Sequence, residues 1–175
     1  MRRTRPVLAV VGLAFATALG PLLPASSAAA GERDTQGAGC DSEYWKYAND
    51  GNVRAYSGND CSGLLGSSPG NDSNWGNSAG GFRGSDNNAA SSVLNTGVQD
   101  AYDTVAFYDA YNYDFTSSGY GCLKRNELYA DKLTDNNFSR GDGNGGGLWY
   151  ADMDDSISSH QWVGDGACWS GGFIN

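Results

Sequence analysis

Two six-residue segments carry the side chains of this chain best suited to act together. The first is Asn87-Asn88-Ala89-Ala90-Ser91-Ser92, and the second is Asp154-Asp155-Ser156-Ile157-Ser158-Ser159. Both read Asn/Asp, Asn/Asp, any two residues, Ser, Ser. That pattern suits a hard divalent cation. Calcium takes six to eight oxygens at roughly 2.3–2.6 Å, from carboxylates, amides, hydroxyls and carbonyls. Adjacent Asn/Asp residues favour a turn, bring side-chain oxygens to it and expose backbone carbonyls. A serine three or four residues on returns a hydroxyl from the other side. One segment cannot fill the shell, so the second must contribute. The competing explanation is a pair of polar turns whose serines bond to backbone. The first segment offers neutral amides and the second two carboxylates, so the second is expected to supply most of the attraction.

Other chemical signals fall away. Gly66-Ser67-Ser68-Pro69-Gly70 fits the G-x-S-x-G nucleophile pattern, but that motif needs a strand, a strained turn and a helix. Pro69 and Gly70 lead into more Gly, Asn and Ser with no helical pattern. His160 is the only histidine, which removes His-based metal clusters, and a strand or loop is expected around it. Asp142 to Gly147 begins like an EF-hand loop but puts Met153 at its twelfth position. No pair of carboxylates is singled out. No catalytic residue is assigned, and no enzyme is expected.

The elements that must position the two segments come next. Arg2, Arg3 and Arg5, an apolar run from Val7 to Leu19 and the small residues Ala28-Ala29-Ala30 read as a signal peptide over 1–30. A secreted, extracellular protein is therefore expected. Losing that leader removes three arginines and no acid, taking the net charge from −9 to −12. Nucleic acid and anionic membrane surfaces are then poor partners, whereas calcium ions are favoured ones. Few aliphatic residues and a high charge would ordinarily signal disorder. The chain nonetheless carries 5 Trp and 10 Tyr, which bury large areas and are rare in disordered segments. Trp45, Trp75, Trp149, Trp162 and Trp169 are accordingly assigned to packing rather than to ligand binding. Cys40, Cys61, Cys122 and Cys168 make an even count in a secreted chain, which favours two disulfides over a zinc site. Four cysteines allow three pairings, and sequence neighbours, Cys40–Cys61 and Cys122–Cys168, are expected to pair.

Residues 31–39 read as a frayed polar terminus, and beyond them no helix of ten or more residues shows an apolar stripe. Short aromatic and β-branched runs stand between turn residues, the texture of an all-β domain. Val53-Arg54-Ala55-Tyr56 aligns with Val105-Ala106-Phe107-Tyr108, and Asp72-Ser73-Asn74-Trp75 with Asp135-Asn136-Asn137-Phe138. Phe82 aligns with Trp149, each five residues ahead of its hexamer. Two copies of one β unit are predicted, with longer loops in the second.

The paired hexamers, each closing an aromatic β repeat, resemble those of the microbial βγ-crystallins. Tyr56, Cys61 and Gly63 keep the spacing of that family's aromatic corner. Tyr108 and Tyr113 keep it too, although Phe115 stands where Gly is expected. The resemblance implies an all-β, βγ-crystallin-like sandwich of two Greek key motifs, supported by disulfides. The expected divisions are an N-terminal segment over 31–50, a first motif over 51–103, and a second over 104–175 with longer loops and a C-terminal tail. It implies calcium as the cofactor, with Asn88, Ala89 and Ser91 serving one site and Asp155, Ser156 and Ser158 the other. Asn87 and Asp154 are further contributors, and Ser92 and Ser159 are structural. A monomer is expected. An alternative with the same architecture is a secreted peptidase (metalloproteinase) inhibitor partnered by a secreted protease, with Thr116–Arg125 as its reactive loop.

Overall fold

The computed structural model describes residues 37–141 and 147–175. The expected leader and the Gly-rich stretch 142–146 lie outside the described residues. Two antiparallel sheets face each other, and the halves of the chain exchange strands between them. In the first half, β1 (Val53–Gly58) and β2 (Ser62–Ser68) form a hairpin. The chain then leaves that sheet, and Asp72 bridges His160 in the opposite one. It returns as β3 (Ser92–Asn95) beside β1. In the second half, β4 (Thr104–Tyr108) pairs with β5 (Tyr120–Leu123). β6 (Tyr129–Ala130) crosses to pair with β3, and β9 (Ser159–Val163) returns beside β4. Each half thus follows a Greek key path, its last strand beside its first; the second half lends β6 to the other sheet, and the first half reaches across by the single bridge at Asp72. An added hairpin, β7 (Asn137–Gly141) and β8 (Gly147–Asp152), extends the second sheet beyond β5.

Strand alternation explains why the runs look uniformly apolar. Val53, Ala55, Val105 and Phe107 point between the sheets into the main core. Tyr56 points to the outer face of the first sheet, with Leu94. Ala106 and Tyr108 point to the outer face of the second, with Cys122. Both faces are therefore covered at β1, β3 and β4, which suppresses there the hydrophobic–polar alternation of a half-exposed strand. A helix, α1 (Ala38–Tyr47), brings Cys40 and Tyr44 onto the first outer face. The C-terminal tail brings Cys168 and Phe173 onto the second. Cys40–Cys61 ties down one cover and Cys122–Cys168 the other, the pairing expected from sequence. Loops spanning 21 and 46 residues make each bond worth roughly 3–4 kcal/mol on the chain-entropy account.

Four expectations change. Trp45, assigned to packing, is 74% exposed on α1. Residues 38 and 39 are helical rather than frayed. α1 lacks an apolar stripe because it is held by its disulfide and by Asp60, which accepts the Gly39 and Cys40 N–H groups at 2.8 and 3.0 Å. The segment Thr116–Arg125 is not an exposed reactive loop: its centre is β5, and Cys122 is fully buried. Phe115 does not break the second hairpin. Both hairpins keep two consecutive left-handed residues, Asp60-Cys61 and Asn112-Tyr113. Gly63 supplies the third in the first hairpin (φ +71°), and in the second the lengthened loop supplies it at Gly119 (φ +78°). A side chain at Gly119 would strike the Ser139 backbone, so glycine is required there.

The core is organised around Trp75, whose ring stacks on Phe82 at 3.9 Å. Its indole Nε1–H donates to His160 Nδ1 at 3.0 Å. That makes Nδ1 the acceptor, so Nε2 carries the proton and donates to the Gly70 carbonyl at 2.8 Å. Burial pushes the His160 pKa down to about 4, against weaker upward pulls from Gly70 and Asp72. Between that value and the ordinary histidine value, the unfolded chain takes up a proton that the folded one refuses. The contribution of neutral His160 is therefore complete above about pH 6.5 and is lost as pH falls toward 4. Urea titrations in EDTA should show stability dropping by about 2 kcal/mol from pH 7 to pH 5. The His160→Gln variant, less stable at pH 7, should lose most of that slope; an unchanged slope would assign it to other groups.

Candidate metal centre

The hexamers lie at the seam where the halves exchange strands, and matched backbone hydrogen bonds join them. Asn88 N–H donates to the Ile157 carbonyl and Asp155 N–H to the Ala90 carbonyl, each at 3.0 Å. Trp75 N–H reaches the Ser158 carbonyl and Leu133 N–H the Ser91 carbonyl, each at 2.9 Å. Ser91 N–H donates to Tyr56 and Ser158 N–H to Tyr108, each at 2.8 Å. These three bonds in one half have counterparts in the other, so the two segments are related by an approximate two-fold. The same pairs correct the repeat register. The counterpart of Trp75 is Leu133, not Phe138, because the β7–β8 hairpin is inserted after that point.

Position by position, part of the motif is explained by the fold. The second residues, Asn88 and Asp155, have φ of +55° and +49°. Asn and Asp tolerate that left-handed geometry better than other non-glycine residues. The sixth residues are structural, as expected. Ser92 Oγ donates to the Gly58 carbonyl and accepts from Cys61 N–H, at 2.7 and 3.0 Å. Ser159 Oγ donates to the Ala110 carbonyl and accepts from Tyr113 N–H, at 2.6 and 3.2 Å. Each serine clamps the hairpin corner of its own half. Backbone bonding by the serines is legible in the sequence; which corner each one clamps is set by the fold.

The first position is not explained by the fold. Among the described residues, four buried side-chain polar atoms lack a hydrogen-bond partner, and two are Asn87 Oδ1 and Asp154 Oδ1. They occupy equivalent places, and both are acceptors. A buried acceptor without a donor costs about 1–3 kcal/mol, more when charged, so a matched pair calls for a cause. Among the described residues, no backbone N–H is bonded to the Ala89 or Ser156 carbonyl, the third-position oxygens. At the fifth position, Ser158 Oγ donates to Asn88 Oδ1 at 2.9 Å. The expected sets are therefore assorted across the halves: Ser158 meets Asn88, while Asp155 lies against Ala90. Ser156 Oγ is spent locally, on the Asp154 carbonyl at 2.9 Å.

The electrostatics match the order of charges in the sequence. Burial pushes the Asp155 carboxyl above its ordinary range, and Asp154 and Asp152 push it the same way. Ionised Asp155 is thus repelled by its neighbours, and a cation would relieve that repulsion. Among the described residues, no three His, Cys, Asp or Glu side chains gather into a metal cluster. The donors present are amide, hydroxyl and carbonyl oxygens with few carboxylates. That set fits calcium and offers nothing to a soft metal.

No protein-family model matches the chain, and no curated protein does. A solved structure described as "Evolution of the eye lens beta-gamma-crystallin domain fold" is similar, at 21% identity and a TM-score of 0.42. The likeness covers 67% of this chain and 88% of that one.

The serine clamps give a test of the structural half of the motif. Ser92→Ala and Ser159→Ala should each lower stability by about 1–3 kcal/mol in urea titration, with or without calcium, because each strands a backbone N–H and a carbonyl. A loss confined to calcium-containing buffer would make these serines ligands instead.

Proposed function

We propose that this chain is a secreted, non-catalytic, calcium-binding domain of βγ-crystallin type whose metal stabilises the fold. The observation that carries the reading is the pair of buried, partnerless oxygens, Asn87 Oδ1 and Asp154 Oδ1, at equivalent positions of two cross-linked turns. Asn88, Ala89 and Ser91, with Asp155, Ser156 and Ser158, are the remaining candidate donors, by side-chain oxygen at the second and fifth positions and by carbonyl at the third. Calcium supplies a compact positive charge that accepts many oxygen donors at once. The chain's own residues do the rest. The left-handed turns at Asn88 and Asp155 expose the third-position carbonyls. The Ser158–Asn88 contact brings donors from opposite halves together, so a cation held there would tie one Greek key to the other. An ion that binds only the folded chain stabilises it by about 2.7 kcal/mol at a hundredfold excess over its Kd.

Thermal melts of the secreted protein in EDTA and in millimolar calcium test the reading, and a rise in Tm with calcium is expected. Glycine keeps the left-handed turn, so Asp155→Gly and Asn88→Gly remove donors without straining the backbone. In calorimetric titration Asp155→Gly should lose more affinity than Asn88→Gly, because it removes a full charge. No shift in Tm and no heat of binding in the parent protein would sink the assignment.

A further inference from the structure

A cavity of about 390 Å³ opens beside β9, the edge strand of the second sheet, and no hexamer residue lines it. One wall is the Trp162 ring. Gly97 fixes its place, since a side chain there would meet the ring at 2.8 Å. Val98 and Tyr102, exposed by 49% and 67%, and Pro69 also line it. Two polar side chains enter the lining. Asn71 Oδ1 accepts from the Trp162 backbone N–H, and one Asp100 oxygen accepts from the Tyr102 backbone N–H. An amide donor and a carboxylate acceptor therefore remain for a guest.

Two further features narrow the guest's chemistry. Gly70 lines the cavity with no positive φ to demand glycine, and a Cβ there would meet nothing within 4 Å. Packing within the chain does not require this glycine; it keeps the cavity open. The Arg125 guanidinium donates to the Gly97 carbonyl at 2.9 Å, behind the lining rather than in it. No Lys or Arg lines the cavity, and the chain carries a net charge of −9, which disfavours an anionic guest. Aromatic faces, one donor and one acceptor suit a flat ring with polar edges.

We propose that this cavity binds a pyranose ring of a neutral saccharide, stacked against Trp162 and Tyr102 and hydrogen-bonded by Asn71 and Asp100. The site is independent of the metal reading and should work in EDTA. The test is binding of the full chain, in EDTA, to immobilised cellotriose, chitotriose and laminaritriose, with poly-L-lysine as the cationic probe. Retention on at least one trisaccharide is expected. Tyr102→Ala and Gly70→Val should each weaken it at least about tenfold, the scale of losing an anchoring contact. Trp45→Ala, which removes an exposed ring on α1, should leave it unchanged, and melts should show all three variants folded. No retention on any trisaccharide, or an equal loss in Trp45→Ala, overturns the proposal. Binding to poly-L-lysine alone, abolished by Asp100→Asn, also overturns it and makes the cavity a cation site.

Discussion

The structure hangs on a reciprocal exchange of backbone hydrogen bonds between two turns far apart in the chain. Asn88 N–H reaches the carbonyl of Ile157, and Asp155 N–H reaches the carbonyl of Ala90. Neither bond forms unless both halves are already folded against each other. The exchange fixes which carbonyls are consumed and which are left outward, and it brings the fifth-position serine of one half to the second-position amide of the other. It also dictates the left-handed backbone at Asn88 and Asp155. The candidate metal centre is thus a by-product of how the two Greek keys interlock. Its donors are placed by long-range contacts and not by either loop alone.

The same interlock accounts for the unusual composition. Two sheets covered on both faces at β1, β3 and β4 need more buried surface than the few aliphatic residues provide. Aromatic rings make up much of the difference: Trp75 stacked on Phe82 inside, Tyr56 under α1, and Tyr108 against Tyr113 and Tyr120 on the far face. Rings with polar edges bring obligations that aliphatics do not. The Trp75 indole requires an acceptor, His160 provides it, and His160 in turn needs the Gly70 carbonyl. A short chain of buried hydrogen bonds therefore crosses the core and binds the first half's third segment to the second half's last strand. The covers on the outer faces are small, and each is tied by one disulfide.

Several features were legible because their causes are local. A left-handed turn beside a strand selects Asn or Asp, and that preference recurs in each half. The all-β texture and the nearest-neighbour disulfides follow from equally local rules. Other features were not legible, and for identifiable reasons. α1 has no apolar stripe because its stability comes from Asp60 and Cys61 across the fold. The third strand of the second half was misregistered because Asp135-Asn136-Asn137-Phe138 imitates Asp72-Ser73-Asn74-Trp75, whereas the true counterpart, Leu133, shares a backbone bond rather than a side chain. The passing of the glycine role from position 115 to Gly119 was not legible, because it depends on how the lengthened loop meets the Ser139 backbone.

The amino-acid sequence by itself determined the all-β texture, the two-fold repetition and the oxygen-rich residues of both hexamers, and it favoured the nearest-neighbour cysteine pairing. These depend on short-range conformational preference, spacing and side-chain chemistry, all of which act within a few residues. Only the tertiary structure decided how those oxygens are shared. It placed Ser158 on Asn88 rather than beside Asp155, committed Ser92 and Ser159 to hairpin corners, and left Asn87 Oδ1 and Asp154 Oδ1 buried without donors. It alone set Trp162, Tyr102 and Gly70 around one cavity. The reason is the strand exchange between sheets: it brings together residues some seventy positions apart, and no local rule records which of them will meet.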